Sequence, residues 1–214
     1  MKLNNTVIVI TGAAQGLGLA MANTFAKAGA NIALIDMQED AVKQAAKEIS
    51  ELGVNAIGYA LNVTDEEQVE STFNQIVSDF GKINGLINSA GIMRDGMLLK
   101  VKDGKVVGKM SKQQFQSVLD VNVTGTFLCG REAAAKMIET QSEGVIINVS
   151  SVSRGGNMGQ TNYSASKSAV STMTVSWGKE LARFKIRTGC IAPGLVNTAM
   201  AAQMRPEMLE RFLS

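Results

Sequence analysis

Two kinds of apolar pattern alternate along this chain. Val7-Ile8-Val9-Ile10, inside a stretch from Thr6 to Thr11, is a continuous β-branched run of the kind found in strands buried on both faces. Leu17, Met21, Phe25 and Ala28 then recur at helical spacing, and Gly29 can end that helix. Ile32-Ala33-Leu34-Ile35 reads as a second strand closed by Asp36, and Val42, Ala45, Ile49 and Leu52 mark a second helix closed by Gly53. A third strand is expected over about Asn55 to Leu61, followed by Asn62-Val63. Thr64-Asp65-Glu66-Glu67 has the form of a capping box, with Thr64 as the N-cap and Glu67 reaching back. The helix it opens is expected to bury Val69, Phe73, Ile76, Val77 and Phe80. Gly85-Leu86-Ile87 gives a fourth strand that ends in Asn88-Ser89-Ala90-Gly91. Apolar strands alternating with amphipathic helices predict an α/β fold, a doubly wound parallel sheet with helices on both faces.

Between Gly91 and Ser111 the period breaks. Val101-Lys102-Asp103-Gly104-Lys105-Val106 carries the Asp-Gly signal of a tight hairpin, in an insert spanning about residues 94–110. Ser111-Lys112-Gln113-Gln114 is a second capping-box pattern, and the helix it opens is expected to run to about Ile138. A fifth strand, Val145 to Val149, ends in Ser150-Ser151. A long helix is expected over about Tyr163 to Phe184, then a sixth strand from Ile186 to Ile191, closed by Ala192-Pro193-Gly194. Leu195 to Ser214 is Met-rich and weakly amphipathic. No repeat, low-complexity tract or linker intervenes, so residues 1–214 read as one domain.

Composition narrows the chemistry. Net charge is +2, and no basic stripe is interleaved with aromatics, so nucleic acid is not expected. There is no histidine, which removes Ser-His-Asp and Cys-His catalysis and the common zinc sites; no metal is expected. Proton transfer near neutral pH must then use a perturbed Tyr, Lys, Asp, Glu or Cys. Cys129 and Cys190 sit in apolar stretches and read as buried thiols. With no signal-peptide pattern and no apolar run long enough to span a bilayer, the chain reads as cytoplasmic.

Tyr163 and Lys167 are four residues apart, so on a helix the phenol and the ammonium lie one above the other. An ordinary tyrosine has a pKa of about 10, and a nearby cation favours its phenolate. Gly12, Gly16 and Gly18 follow the first strand and open the first helix, where missing side chains let backbone amides approach a pyrophosphate. The plain alternative is a glycine-rich turn with no ligand. Asp36, at the end of the second strand, stands where a carboxylate accepts hydrogen bonds from an adenosine ribose. It would repel a 2′-phosphate, favouring NAD over NADP, though it could equally cap a helix. Asn122 falls on the apolar face marked by Phe115, Val118 and Leu119, either as a satisfied core amide or as a functional group. Ser150 and Ser151 end a strand at the edge where open α/β sheets bind ligands, and either could be a turn residue. Arg94, Lys100, Lys102, Lys105 and Lys109 make the hairpin basic, either to block strand pairing or to steer an anionic substrate or acyl carrier.

Together these residues resemble the short-chain dehydrogenase/reductase family, a Rossmann-type fold. Thr11-Gly12, Gly16 and Gly18 match its cofactor turn, and Asn88-Ser89-Ala90-Gly91 is similar to its Asn-Asn-Ala-Gly. Asn122, Ser151, Tyr163 and Lys167 match its catalytic tetrad, and Pro193-Gly194, Val196 and Thr198 its nicotinamide-side segment. The run Gly159 to Lys167 is similar to the branch containing 3-oxoacyl-[acyl-carrier-protein] reductases. Several features depart from that branch. Ser151 lies one residue nearer Tyr163 than expected, leaving Ser150 as the alternative serine. Gln15 stands where the branch often has a basic residue, and Asn62 replaces its usual aspartate near adenine. The family also continues to a seventh strand and a subunit interface, whereas this sequence stops at Ser214, inside what resembles a substrate-covering segment of about residues 195–214.

The resemblance implies interconversion of a secondary alcohol and a ketone with NAD(H), NADP(H) staying open, and reduction of a 3-oxoacyl thioester as the substrate class. Tyr163 is implied as the acid/base; Lys167 as the group that binds the nicotinamide ribose and lowers the tyrosine pKa. Ser151 is implied to polarise the carbonyl, and Asn122 to hold a water that links Lys167 to solvent. The implied cofactor contacts are Gly12, Gln15, Gly16, Leu17, Gly18, Asp36, Asn62, Val63, Asn88, Ala90, Gly91, Tyr163, Lys167, Pro193, Gly194, Val196 and Thr198. A homodimer or homotetramer is expected, without membrane partners, acting on a small carbonyl or alcohol, either free or carried on acyl carrier protein or coenzyme A. The rival reading is a dinucleotide-binding regulatory or scaffold protein without turnover.

Overall fold

A computed structural model describes residues 3–196. Its strands are β1 (Val7–Thr11), β2 (Asn31–Asp36), β3 (Ala56–Ala60), β4 (Gly85–Asn88), β5 (Leu99–Lys102), β6 (Lys105–Lys109), β7 (Gly144–Val149) and β8 (Ile186–Ile191). Its helices are α1 (Gly16–Lys27), α2 (Glu39–Ser50), α3 (Glu66–Phe80), α4 (Lys112–Leu119), α5 (Thr126–Glu139) and α6 (Thr161–Leu181). Six strands form one sheet in the order β3-β2-β1-β4-β7-β8, with every neighbouring pair parallel. The chain runs outward from β1 to β3, then returns to the other side of β1. This reversal opens a crevice beyond the C-terminal ends of β1 and β4.

Alternating side chains of the central strands feed two apolar layers, as strand geometry requires. Ile8, Ile10, Ile32 and Leu34 meet Ala22 and Ala26 of α1 and Val42, Ala45 and Ile49 of α2. Val9, Ala33, Ile35, Leu86 and Ile146 meet Val69, Phe73 and Ile76 of α3 and Leu128, Ala133 and Met137 of α5. In α1 the fully buried positions are the small Gly18, Ala22 and Ala26, while Leu17, Met21 and Phe25 pack around them only partly buried. Small residues there let the helix lie close to the sheet.

The start of α3 falls one residue later than expected. Asp65, not Thr64, is the N-cap and accepts from the Gln68 amide at 3.0 Å. Thr64 is held elsewhere, because its amide and hydroxyl both donate to Asn62 Oδ1, at 3.1 and 2.9 Å. Ser111 caps α4 as expected, accepting from the Gln114 amide at 3.0 Å. The helix it opens is not continuous to Ile138, because a π-helical segment, Asp120–Gly125, separates α4 from α5. That wider turn lodges the Asn122 amide against the Ile92 backbone, which offsets the disturbed helical register.

β5 and β6 form an antiparallel hairpin outside the main sheet, turning at Asp103-Gly104 with φ of 48° and 73°. Its apolar residues Leu99, Val101, Val106 and Val107 are exposed. Both cysteines are free thiols; Cys129 is buried as expected, whereas Cys190 is only half-buried. No helix among the described residues is long and apolar enough to cross a membrane.

Candidate active site

A cleft of about 390 Å³ lies at the C-terminal edge of the sheet. At one end stands the turn between β1 and α1. Gly12 has φ +67°, and a Cβ there would lie 2.9 Å from Ala90 Cα, so the turn and the end of β4 need this position bare. Thr11 Oγ1 secures the same contact by accepting from the amides of Ser89 and Ala90, both at 3.1 Å. A Cβ on Gly18 would overlap the Gly12 carbonyl. Gln15, the N-cap of α1, gives no side-chain capping bond, and the first turn carries no acidic residue. The helix therefore presents amides and a positive dipole end to the cleft, the arrangement that suits a pyrophosphate. Asp36 stands on the wall beside it, its Oδ2 accepting from the Ala14 amide and its Oδ1 from the Gln38 amide, both at 3.2 Å.

The other end is built by β7, the 3₁₀ segment Val152–Gly155 and α6. Ser150 and Ser151 are separated by their bonds. Ser150 is buried, donating to the Lys167 carbonyl at 2.8 Å and accepting from Ser171 at 2.9 Å. Ser151 Oγ accepts from the Ser153 amide at 3.1 Å, which leaves its O–H free to donate. Lys167 is buried; its Nζ donates to the Val149 carbonyl at 2.8 Å and sits 5.6 Å from the centre of the Tyr163 ring.

Electrostatics corrects one expectation. The Tyr163 phenol is raised above its ordinary pKa, first by burial, with the Asp95 carboxylate adding to the rise and the Ser151 hydroxyl opposing it. Lys167 is not among the causes. Burial lowers the Lys167 ammonium itself to about 8, so the cation that would favour phenolate is weakened by the same desolvation.

Of the expected cofactor contacts, Gly12, Gln15, Gly16, Leu17, Gly18, Asp36, Asn62, Val63, Ala90, Gly91, Tyr163, Lys167, Pro193, Gly194 and Val196 line the cleft, as does Ser151. Asn88 does not. It is buried beneath the floor, donating to the Thr126 carbonyl at 3.3 Å and to Asn148 Oδ1 at 2.9 Å, because its side chain points into the sheet–helix layer. Asn122 also lies outside the cleft lining. Its Oδ1 accepts from the Ile92 amide at 2.8 Å, and its Nδ2 donates to the Ile92 carbonyl and the Ser166 hydroxyl at 3.1 and 3.0 Å. Both of its donors are committed, and it makes no bond to Lys167. Thr198 lies outside the described residues.

Sequence reading missed Met37, Ile92, Met93 and Gln160, which also line the cleft. Gln160 had a legible signal, being a polar residue three positions before Tyr163 at the head of a helix. Met37 had none.

The short chain dehydrogenase family matches residues 6–209. A 3-oxoacyl-[acyl-carrier-protein] reductase of Thermotoga maritima is 38% identical over 215 residues, covering 100% of this chain and 83% of that protein. The (2S)-[(R)-hydroxy(phenyl)methyl]succinyl-CoA dehydrogenase subunit of Thauera aromatica is 34% identical over 213 residues, covering 100% of this chain and 82% of its own. Among solved structures, an NAD⁺-bound xylitol dehydrogenase superposes with a TM-score of 0.82 at 34% identity, covering 99% of this chain and 75% of that one.

Proposed function

This chain belongs to the short-chain dehydrogenase family and is an NAD(P)-dependent oxidoreductase acting on CH–OH/C=O; from that premise we propose that it reduces a 3-oxoacyl thioester with NADH. The non-catalytic scaffold reading is set aside with that assignment. One observation carries the proposal: the uncapped start of α1 with Asp36, and the Ser151, Tyr163 and Lys167 set, face one continuous cleft. A dinucleotide fits this arrangement, since Gly12 and Gly18 leave backbone bare where side chains would close the turn.

When bound, the nicotinamide supplies or removes the hydride. Tyr163 donates its phenolic proton to the substrate oxygen in reduction and takes one back in oxidation. Its raised pKa keeps that proton on the phenol at neutral pH, which suits reduction. Ser151 directs its free O–H at the carbonyl oxygen and polarises it. Lys167, with one donor on Val149, keeps others for ribose hydroxyls. Asn122 is a positioning residue that ties the Ile92 backbone to Ser166 of α6, holding the two walls of the site together. Gly12, Gln15–Gly18, Asn62, Val63, Ala90, Gly91, Pro193, Gly194 and Val196 line the remainder of the cofactor path.

Asp36 supports NADH, because a carboxylate fixed on the wall repels a 2′-phosphate and accepts from ribose hydroxyls. The thioester reading draws support from relatives named for acyl-carrier-protein and CoA substrates. Phe127 on α5 and Val175 on α6 are exposed, which supports a second copy packing on the long helices in a homodimer or homotetramer. The test pairs fluorescence titration of NADH and NADPH with turnover of acetoacetyl thioesters and of polyols. Tighter NADH and turnover of the thioester are expected. Tighter NADPH contradicts the reading of Asp36, and turnover confined to polyols contradicts the thioester reading.

A further inference from the structure

Asp95 and Gln160 form a pair beside Tyr163 that the mechanism above does not use. Gln160 is 2% exposed and lines the cleft. Its Nε2 donates to Asp95 Oδ2 at 2.8 Å, and its Oε1 accepts from Asn157 Nδ2 at 2.9 Å. An ionised carboxylate only accepts, so Asp95 fixes which end of the Gln160 amide faces it.

The Asp95 backbone is held from several sides. Gly96 donates to the Gly159 carbonyl at 2.8 Å. Gln114 of α4 donates to the carbonyls of Arg94 and Asp95 at 2.9 and 3.3 Å, and Asn162 of α6 donates to the Arg94 carbonyl at 2.9 Å. The Asp95 side chain itself is exposed at the rim, outside the cleft lining, with its Oδ2 held by Gln160, and its field reaches the Tyr163 phenol. Beyond it the hairpin presents Lys100, Lys102, Lys105 and Lys109, all exposed, so the hairpin is basic while the rim carboxylate bonded to Gln160 is acidic.

We propose that the Asp95–Gln160 pair is a specificity determinant, rejecting substrates that carry a negative charge next to the reacting carbonyl and admitting neutral acyl groups there. This deepens the thioester reading and rests on it: a 3-oxoacyl group is neutral when esterified and anionic as the free acid. A like charge in a partly desolvated site is disfavoured, whereas an ester or thioester has no such penalty. The charged groups facing the phenol are then Lys167 on α6, 5.6 Å from the ring centre and weakened by its own burial, and Asp95 on the β4–β5 connection, which disfavours the ionised phenol.

The test compares kcat/KM for ethyl acetoacetate and for acetoacetate in the wild type and in D95N. D95N keeps the shape of the side chain and removes its charge. The wild type is expected to favour the ester, and D95N to narrow that preference by about tenfold, chiefly by gaining activity on the free acid. A preference that D95N leaves unchanged, or a wild type that favours the free acid, overturns the proposal. A second readout needs no substrate. Tyr163 and Tyr59 are the only tyrosines, and Tyr59 titrates separately, pushed well up by burial and its bond to Asp79. The ultraviolet titration of the Tyr163 phenol should move to lower pH in D95N, which a purely structural role would not produce. If neither acetoacetate compound is turned over, the phenol titration decides the role of Asp95, and turnover of an acetoacetyl thioester separately decides the substrate reading. A shift then supports the charge role of Asp95, and an unmoved midpoint overturns it.

Discussion

Lys167 holds the Val149 carbonyl at 2.8 Å while its ammonium lies 5.6 Å from the centre of the Tyr163 ring. The lysine is thus anchored to the end of β7 rather than to the phenol. Its burial has a thermodynamic consequence. The folded pKa is lowered to about 8 from 10.5, so between those values the unfolded chain binds more protons than the folded one. Stability from this group therefore rises as pH rises through that window, and below it the buried charge costs on the order of 3 kcal/mol.

Melting of the wild type and K167M across pH 7 to 10.5 checks this. The wild type should gain on K167M as pH rises above about 8. A constant gap between the two curves contradicts the depressed lysine. Reduction by the wild type should also weaken through the same range, as the ammonium loses its charge.

Ser150 and Ser151 should separate cleanly. S151A removes a donor aimed at the substrate oxygen and should lower kcat by about 10² to 10³, while losing from the fold only its bond from the Ser153 amide. S150A removes the buried bonds to Lys167 and Ser171 and should cost about 1–3 kcal/mol of stability. Loss of turnover without loss of stability in S150A would reverse the assignment.

The glycine turn gives a binding test. In G12A the new Cβ meets Ala90 Cα at 2.9 Å and the residue must keep φ +67°, so the turn shifts away from β4. NADH affinity should fall by at least about tenfold, in keeping with a loss of more than 1.4 kcal/mol. Undiminished NADH binding in a folded G12A protein contradicts the placement of the pyrophosphate on this turn.

The hairpin lysines are exposed and lie outside the cleft lining. If they steer a carrier-borne substrate, K102E/K105E should raise KM for acetoacetyl-acyl carrier protein at low salt and leave small esters unaffected. An unchanged KM leaves them as groups that keep the hairpin edges from pairing.

Much of the fold was legible because its strands are apolar on both faces and its helices are amphipathic. Runs such as Val7–Ile10 admit few other readings once glycine turns and capping residues punctuate them. The hairpin was legible from Asp103-Gly104 alone. Legibility failed where several partners compete for one group. Thr64 is a good capping residue, but Asn62 engages it first and Asp65 takes the N-cap. The helix expected from Ser111 to Ile138 has no proline or paired glycines to announce its π segment, which depends on contacts between Asn122 and Ile92. Asn88 and Asn122 show the same limit: sequence places an amide near the site, but only packing decides which way it faces. The Tyr163 pKa failed for a related reason. Spacing shows the cation beside the phenol, not the burial that weakens both charges.

Turnover by Y163F bears most directly on the central claim. The substitution keeps the ring and removes only the proton. NADH should bind as in the wild type, while reduction of an acetoacetyl thioester should fall by at least about a hundredfold. Retained turnover with intact NADH binding would contradict Tyr163 as the proton donor.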